Sequence, residues 1–298
     1  MDRFQLMRLF VRIVETGSFS AVARELDTTQ PTVSKQLTAL ERQLGTRLLN
    51  RTTRGLSPTE AGAAFYDRAT RILEDLQEAE ASLTQLQNRA TGTLRINASV
   101  AFGQIFLVPS LFEFRRKYPE IHLDLSLNDR FVDLVQEGMD LAIRFGPLED
   151  SQLVARSLGK SARLCVASPQ YLATRGTPSA PQELASHNCL TYTYTTTGNE
   201  WRFQGDQGMI PVRVFGDFRT NNAFAILQAA VEGVGVANLP KFMVRGELAA
   251  GTVVPVLERY GPMAVDIHAV YPTARFESSK LKLFLEFLQQ EVPKYPLG

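Results

Sequence analysis

The side chains best placed for chemistry in this chain are hydrogen-bonding and cationic groups, not nucleophiles. Thr29, Gln30, Thr32, Ser34 and Lys35 crowd one stretch, with Pro31 among them. The polar five can bond base edges or phosphates, and Pro31 can offer an apolar contact. Arg47, Arg51 and Arg54 follow, and no acid interrupts them until Glu60. Clustered guanidinium groups suit a polyanion. Bond-making chemistry has little support. The chain lacks GxSxG, a Walker loop, HExxH and GxGxxG; Gly233-Val234-Gly235 follows a helical run rather than opening one, which suits a helix stop and close backbone packing. His122, His187 and His268 lie far apart, with neither HxxxH nor CxxC spacing, so no metal and no cofactor is expected. Cys165 and Cys189 form no disulfide framework and read as two reduced thiols.

Two apolar-periodic runs must hold the first cluster. One carries Ala21, Val22, Ala23 and Leu26; the other carries Val33, Leu37, Leu40 and Leu44. Steps of four, three and four are the period of a helix burying one face. Thr29 or Gln30 before Pro31 marks a helix start, because proline suits the first turn. Two short helices across the polar break at residues 27–30 form a helix-turn-helix, whose second helix would enter a major groove by its N-terminal residues. On this stretch alone, two packed helices of another all-α protein remain an open reading. Gly55 and Pro58 mark turns around the arginines, which predicts a basic hairpin, or wing, touching phosphate or the minor groove. Ahead of these, Phe4, Leu6, Met7, Leu9, Phe10, Ile13 and Val14 form a helical stripe, read as core. Gly17-Ser18 ends that helix and caps the next.

The length favours two domains. No apolar run reaches the ~18 residues a membrane span needs, and MDRFQLMRLF lacks a signal peptide's apolar core. A cytoplasmic, nucleoid-associated protein is expected. The net charge of +1 hides a division. Residues 1–57 hold nine basic and five acidic residues, while the remainder holds 23 and 26. A basic head on an acidic body suits a polyanion at one end only.

From Pro58 to Asn88 a helix of ~30 residues, about 45 Å long, is predicted. Phe65, Ala69, Ile72, Leu76, Ala79, Leu83 and Leu86 make a heptad seam along it. The seam packs either on its own chain or on a partner helix. After Ala90-Thr91-Gly92 the texture changes. Strands are predicted at Thr93–Asn97, Ile121–Leu127, Met139–Gly146, Leu153–Gly159, Ala162–Ser168, Val234–Pro240 and Met263–Pro272. Helical runs at Ile105–Tyr118, Phe131–Glu137, Asn222–Glu232 and Ser278–Val292 alternate with them. This alternation predicts an α/β region with parallel strands.

The run AVARELDTTQPTVSKQLTALERQLGTRLLNRTTRGLSPTEAG resembles the N-terminal signature of LysR-type transcriptional regulators, and the match extends from about Phe4 to Gly62. The resemblance implies a multidomain α and α/β protein. A winged helix-turn-helix would occupy residues 1–58, a long linker and dimerisation helix 59–90, and a two-lobed, periplasmic-binding-protein-like effector domain 91–298. Lobe I would span about 91–162 and 267–298, and lobe II about 163–266. The chain would cross between lobes near Ser161–Leu164 and return near Asp266–His268.

In open α/β units, ligands sit beyond the carboxyl ends of strands, often at helix N-termini. Ser99 can cap the helix after the first strand and donate to an anion. Asn222 precedes a helix in the second lobe. Each residue alone also reads as an ordinary cap. Asn128, Arg144, Phe145 and Gly146 stand at other strand ends. Phe102, Phe145 and Trp201 would suit a planar ligand, with core packing the alternative for Trp201. A small aromatic or carboxylate effector is therefore expected.

These features read as a DNA-binding transcriptional regulator, not an enzyme, modulated by a small molecule held between the lobes. Expected partners are double-stranded DNA at an interrupted palindrome, the effector, a second protomer along the linker helix, a tetramer or higher oligomer, and RNA polymerase. Two rival readings are a metabolite-binding protein with a vestigial DNA-binding head and an enzyme using the cleft.

Overall fold

The computed structural model describes residues 2–52, 55–83, 90–148, 153–195, 198–273, 278–295 and 297. The chain divides into two compact units, Met1–Arg89 and Ala90–Gly298.

The first unit begins with α1 (Arg3–Thr16), started by a reciprocal Asp2–Gln5 capping box and ended by Gly17 at φ 61°. Ser18 caps α2 (Phe19–Glu25) by accepting from the Ala21 amide. Thr29 caps α3 (Gln30–Leu44) by accepting from Thr32 N, with Pro31 in the first turn and Gly45 at φ 70° closing it. Strands β1 (Leu49–Thr52) and β2 (Gly55–Pro58) pair antiparallel, and α4 (Glu60–Leu83) follows. Phe10, Ile13, Val22, Val33, Leu37 and Leu40 are fully buried in one core with Leu48, Ala69 and Leu73. Gly62 lets α4 start against the chain ahead of β1, since a Cβ there would lie 1.9 Å from the Leu48 carbonyl oxygen.

Two residues expected on buried stripes lie outside the core. Leu26 is 49% exposed, because Asp27 at φ 48° turns the chain away just past α2. Phe4 is 45% exposed, and Val11 is buried instead. On the predicted seam, Ala69 and Phe65 pack into the unit's own core, whereas Ile72 is 43% exposed. The side chains of Ala79 and Leu83, and all of Leu86, fall outside the described residues.

The second unit holds two five-stranded sheets. The strands, in chain order, are β3 (Gly92–Ala98), β4 (Ile121–Leu127), β5 (Leu141–Phe145), β6 (Leu153–Ser161), β7 (Arg163–Ala167), β8 (Cys189–Tyr192), β9 (Glu200–Gly205), β10 (Gly208–Arg213), β11 (Arg219–Thr220), β12 (Val236–Pro240), β13 (Val254–Val256) and β14 (Val265–Pro272). Lobe I is ordered β4-β3-β5-β14-β6 and lobe II β11-β8-β12-β7-β13. The helices are α5 (Val100–Phe102), α6 (Val108–Lys117), α7 (Pro169–Arg175), α8 (Ala223–Val231), α9 (Arg245–Ala250) and α10 (Ser279–Glu291). A π-helical turn over Gly103–Leu107 joins α5 to α6.

The sheets are mixed rather than parallel. β3 runs parallel to β4 and β5, but β14 pairs antiparallel with both β5 and β6, and β7 pairs antiparallel with β12 and β13. The cause is the chain's path. It leaves lobe I after Ser161 and enters lobe II at Arg163. It returns over residues 257–264, earlier than the expected Asp266–His268, because Val265 is already paired with Ser161. The expected helix at Phe131–Glu137 is only a turn. The Asp133 carboxylate caps that turn, taking the Val135 and Gln136 amides at 2.9 and 3.0 Å, and Gly138 at φ 62° ends it after one turn. The β9–β10 hairpin adds strands beyond those expected. It buries Trp201, Phe203 and Val212 in the core of lobe II, with Cys165 and Cys189. Among the described residues no helix is long and apolar enough to cross a membrane.

Candidate nucleic-acid interface and effector cleft

The face of α3 is sorted by its period. Val33, Leu37 and Leu40 lie at 0% exposure, whereas Thr29, Gln30, Pro31, Thr32 and Lys35 are exposed and Ser34 is half-buried. Thr29 Oγ1 and Thr32 Oγ1 lie 2.8 Å apart, and Gln30 Oε1 accepts from Ser20 Oγ at 3.3 Å. The helix thus presents its polar N-terminal residues on one side. A groove-reading helix needs that arrangement. Glu41 ties the chain leading into the wing to α3, because its Oε1 accepts from the Leu48 and Leu49 amides at 2.8 and 3.3 Å. The backbone of Arg51 pairs with Leu56 in the hairpin; Arg54 and the Arg51 side chain lie outside the described residues. Away from this face, the Arg12 guanidinium holds the Glu25 carboxyl below the usual carboxylate range, at 2.7 and 3.0 Å, locking α1 to α2.

In the second unit the expected effector residues separate into three groups. Ser99, Asn128 and Asn222 stand where strands hand over to helices or loops. Helices α5 and α8, one from each lobe, pack on each other. Ser99 does not cap α5: its side chain makes no capping bond. The Val100 amide instead donates to Asp129 Oδ1 at 3.0 Å. Tyr192, at the end of β8, lies near enough to Asp129 for the two groups to influence each other's proton affinity, so this proximity spans the lobes. Burial raises the Asp129 carboxyl above its ordinary value and raises the Tyr192 hydroxyl as well. Asn222 is a true cap, with Oδ1 accepting from Phe224 N at 2.9 Å and Ala225 N at 3.1 Å. Asn128 donates to Ser126 Oγ at 3.3 Å, and its buried Oδ1 has no hydrogen-bond partner among the described residues.

Phe102 and Phe145 form the second group. Phe102 is fully buried, with ring centroids 4.7 Å from Phe106, 5.3 Å from Phe145 and 6.4 Å from Phe242 of lobe II. It is an interlobe core residue rather than an open wall. Arg144 and Trp201 are corrections. Leu141 and Ile143 face the main core while Ala142 faces a small core with Leu134 and Val270, so alternation puts Arg144 on that second face. There it donates to the Arg130 carbonyl at 3.5 Å and stacks on Phe131 at 5.2 Å. Trp201 belongs to the lobe II core beneath the hairpin. Sequence reasoning missed Ser20, Asp129 and Tyr192. Arg163 was also missed. It is the first residue of lobe II, donates to Asn238 Oδ1 at 2.8 Å, and burial pulls its guanidinium down to about 10.

A helix-turn-helix with a two-stranded wing in one unit, and a bilobal α/β module in the other, define a DNA-binding regulator that senses small molecules. Residues 4–63 match the bacterial regulatory helix-turn-helix proteins of the lysR family, and residues 87–293 match the LysR substrate binding domain. The chain belongs to the LysR family of transcriptional regulators. It is 37% identical over 283 residues to the transcriptional activator TtdR of Escherichia coli K12, covering 95% of this chain and 91% of that one. It is 36% identical over 287 residues to the regulator CrgA of Neisseria meningitidis serogroup C, covering 96% of each. The solved structure of CrgA from Neisseria meningitidis superposes with a TM-score of 0.62 over 97% of this chain and 98% of that chain, at 34% identity. The full-length structure of the Vibrio cholerae virulence activator AphB superposes at 0.59 over 99% of each, at 31% identity.

Proposed function

We propose that residues 1–58 read DNA through Thr29, Gln30, Pro31, Thr32, Ser34 and Lys35, with Arg51 and Arg54 on phosphates. Residues 59–90 join two protomers, and residues 91–298 bind an effector. The observation that carries this reading is the division of α3 into a fully buried apolar face and an exposed polar N-terminal face. Two heads held by paired linker helices would span the half-sites of an interrupted palindrome. A tetramer and contact with RNA polymerase, in the cytoplasm, complete the reading.

The effector would lie between the lobes near Ser99, Asn128 and Asn222. Three amides that could have drawn an anion, those of Val100, Phe224 and Ala225, are already held by Asp129 and Asn222. A neutral hydrogen-bonding molecule therefore fits better than a bare carboxylate. A ligand preferring one arrangement of the lobes would shift their population and so the spacing of the heads.

A gel shift on the chain's own promoter region tests the DNA half, with binding expected for wild type. Replacing Arg51 by alanine should weaken binding on all sequences. It should also make the slope of log affinity against log salt shallower by about one unit for each phosphate no longer bound; an unchanged slope removes that role. A thermal-shift screen of metabolites tests the sensor half, because a ligand of the folded state raises the melting temperature. For a hit, Ser99→Ala should reduce the response without changing basal DNA affinity.

A further inference from the structure

Ser20 lies in the first turn of α2, ten residues from Gln30, and both are exposed. It is not the cap of its helix; Ser18 performs that task. Its hydroxyl donates to Gln30 Oε1 at 3.3 Å. Gln30 Nε2 has no partner among the described residues, and the position of Gln30 is fixed by the Thr29 cap and by Pro31 behind it.

A glutamine with both ends free pairs bidentately with adenine, accepting from N6 and donating to N7. Gln30 is not in that condition. Its oxygen is drawn toward α2, so the amide group directed outward is a donor. Donors meet the guanine O6 and N7 or the thymine O4; adenine offers its N7 only beside the N6–H2 donor, which opposes the amide N–H2, and cytosine offers N4–H2, another donor.

We propose that Ser20 is a positioning residue that orients the Gln30 amide to read guanine or thymine rather than adenine at one base pair of each half-site. The proposal rests on the reading of Gln30 as a base-facing residue. The opposite amide orientation, with Nε2 on Ser20, would present the oxygen and select adenine or cytosine. The base found at that position therefore distinguishes the two directly.

The test is sequence selection from randomised duplexes with full-length wild type, Gln30→Ala, Ser20→Ala and Ser20→Thr. Gln30→Ala marks the base pair by relaxing it. Wild type should favour guanine or thymine there by about tenfold over adenine and cytosine, in line with one good base contact. Ser20→Ala should admit adenine at that pair alone, within about threefold of the preferred base, as expected when the amide can turn over. Ser20→Thr keeps a hydroxyl and should restore the wild-type profile. Adenine or cytosine at the marked pair in wild type overturns the proposal. An unchanged profile in Ser20→Ala also overturns it, as does a uniform loss at every position. A different outcome tells against the underlying reading instead: wild type enriches no motif, or Gln30→Ala relaxes no position.

Discussion

Asp129 supplies the carboxyl group that meets the first amide of α5, and this changes what the cleft can be asked to bind. Its carboxyl is raised by burial, so the folded chain keeps a proton that the unfolded chain, with an ordinary value near 3.8, has released. This group's contribution to stability is fully present below 3.8 and is lost as pH rises through the higher folded value. Asp129→Asn can keep the bond from Val100 without the buried charge. It should flatten the fall of the unfolding midpoint between acidic and neutral pH; a slope identical to wild type rejects the assignment. The thiols behave differently. Cys165 and Cys189 are fully buried, and burial raises both, Cys189 to about 12. Ellman's reagent should therefore find almost no reactive thiol in the native protein and two per chain after unfolding. Fast native labelling would contradict this.

The recognition helix holds its place through three side chains. Leu37→Ala removes a fully buried one and should cost about 2–5 kcal/mol in denaturant unfolding. A smaller loss would mean the core closes around the gap. For α4 the expected variant is Leu76→Glu, on the half-buried stretch beyond Ala69 and Leu73. It should give monomers in sedimentation at low micromolar concentration, and a persistent dimer would place the seam elsewhere. The helices of the first unit were legible because period, cap and stop agree at every level. The hairpin at Trp201 and Phe203 has a legible alternation, completed by Ile210 and Val212 in the opposing strand, but aromatics at that spacing suit a ligand wall as well as a core. The start at Asp133 was not legible, because its side chain caps the turn two residues inside the predicted helix. At the site, residue type and helix position exposed Gln30 and Lys35. Ser20 and Asp129 gain their roles only across ten and 29 residues of chain, through contacts that spacing does not encode.

In the second unit, Phe102 and Phe242 join the lobes through one ring contact. Phe242→Ala should lower stability by about 3–5 kcal/mol, the range for a buried aromatic truncation. A loss below about 1 kcal/mol would mean the lobes hold without this contact, because so small a cost is that of an ordinary surface site. The strand order has a further effect, on the timing of synthesis. β6 is an edge strand whose one neighbour, β14, is made about a hundred residues later. At roughly 5–20 residues per second on the ribosome, that is a wait of about 5–20 s. Meanwhile lobe II, continuous from Arg163 to Val256, can close by itself while β5 and β6 stand with unpaired edges. A nascent chain halted before Val265 is thus a sticky, half-finished sheet tethered to a finished one. Cells must keep it from pairing with its neighbours on the same polysome.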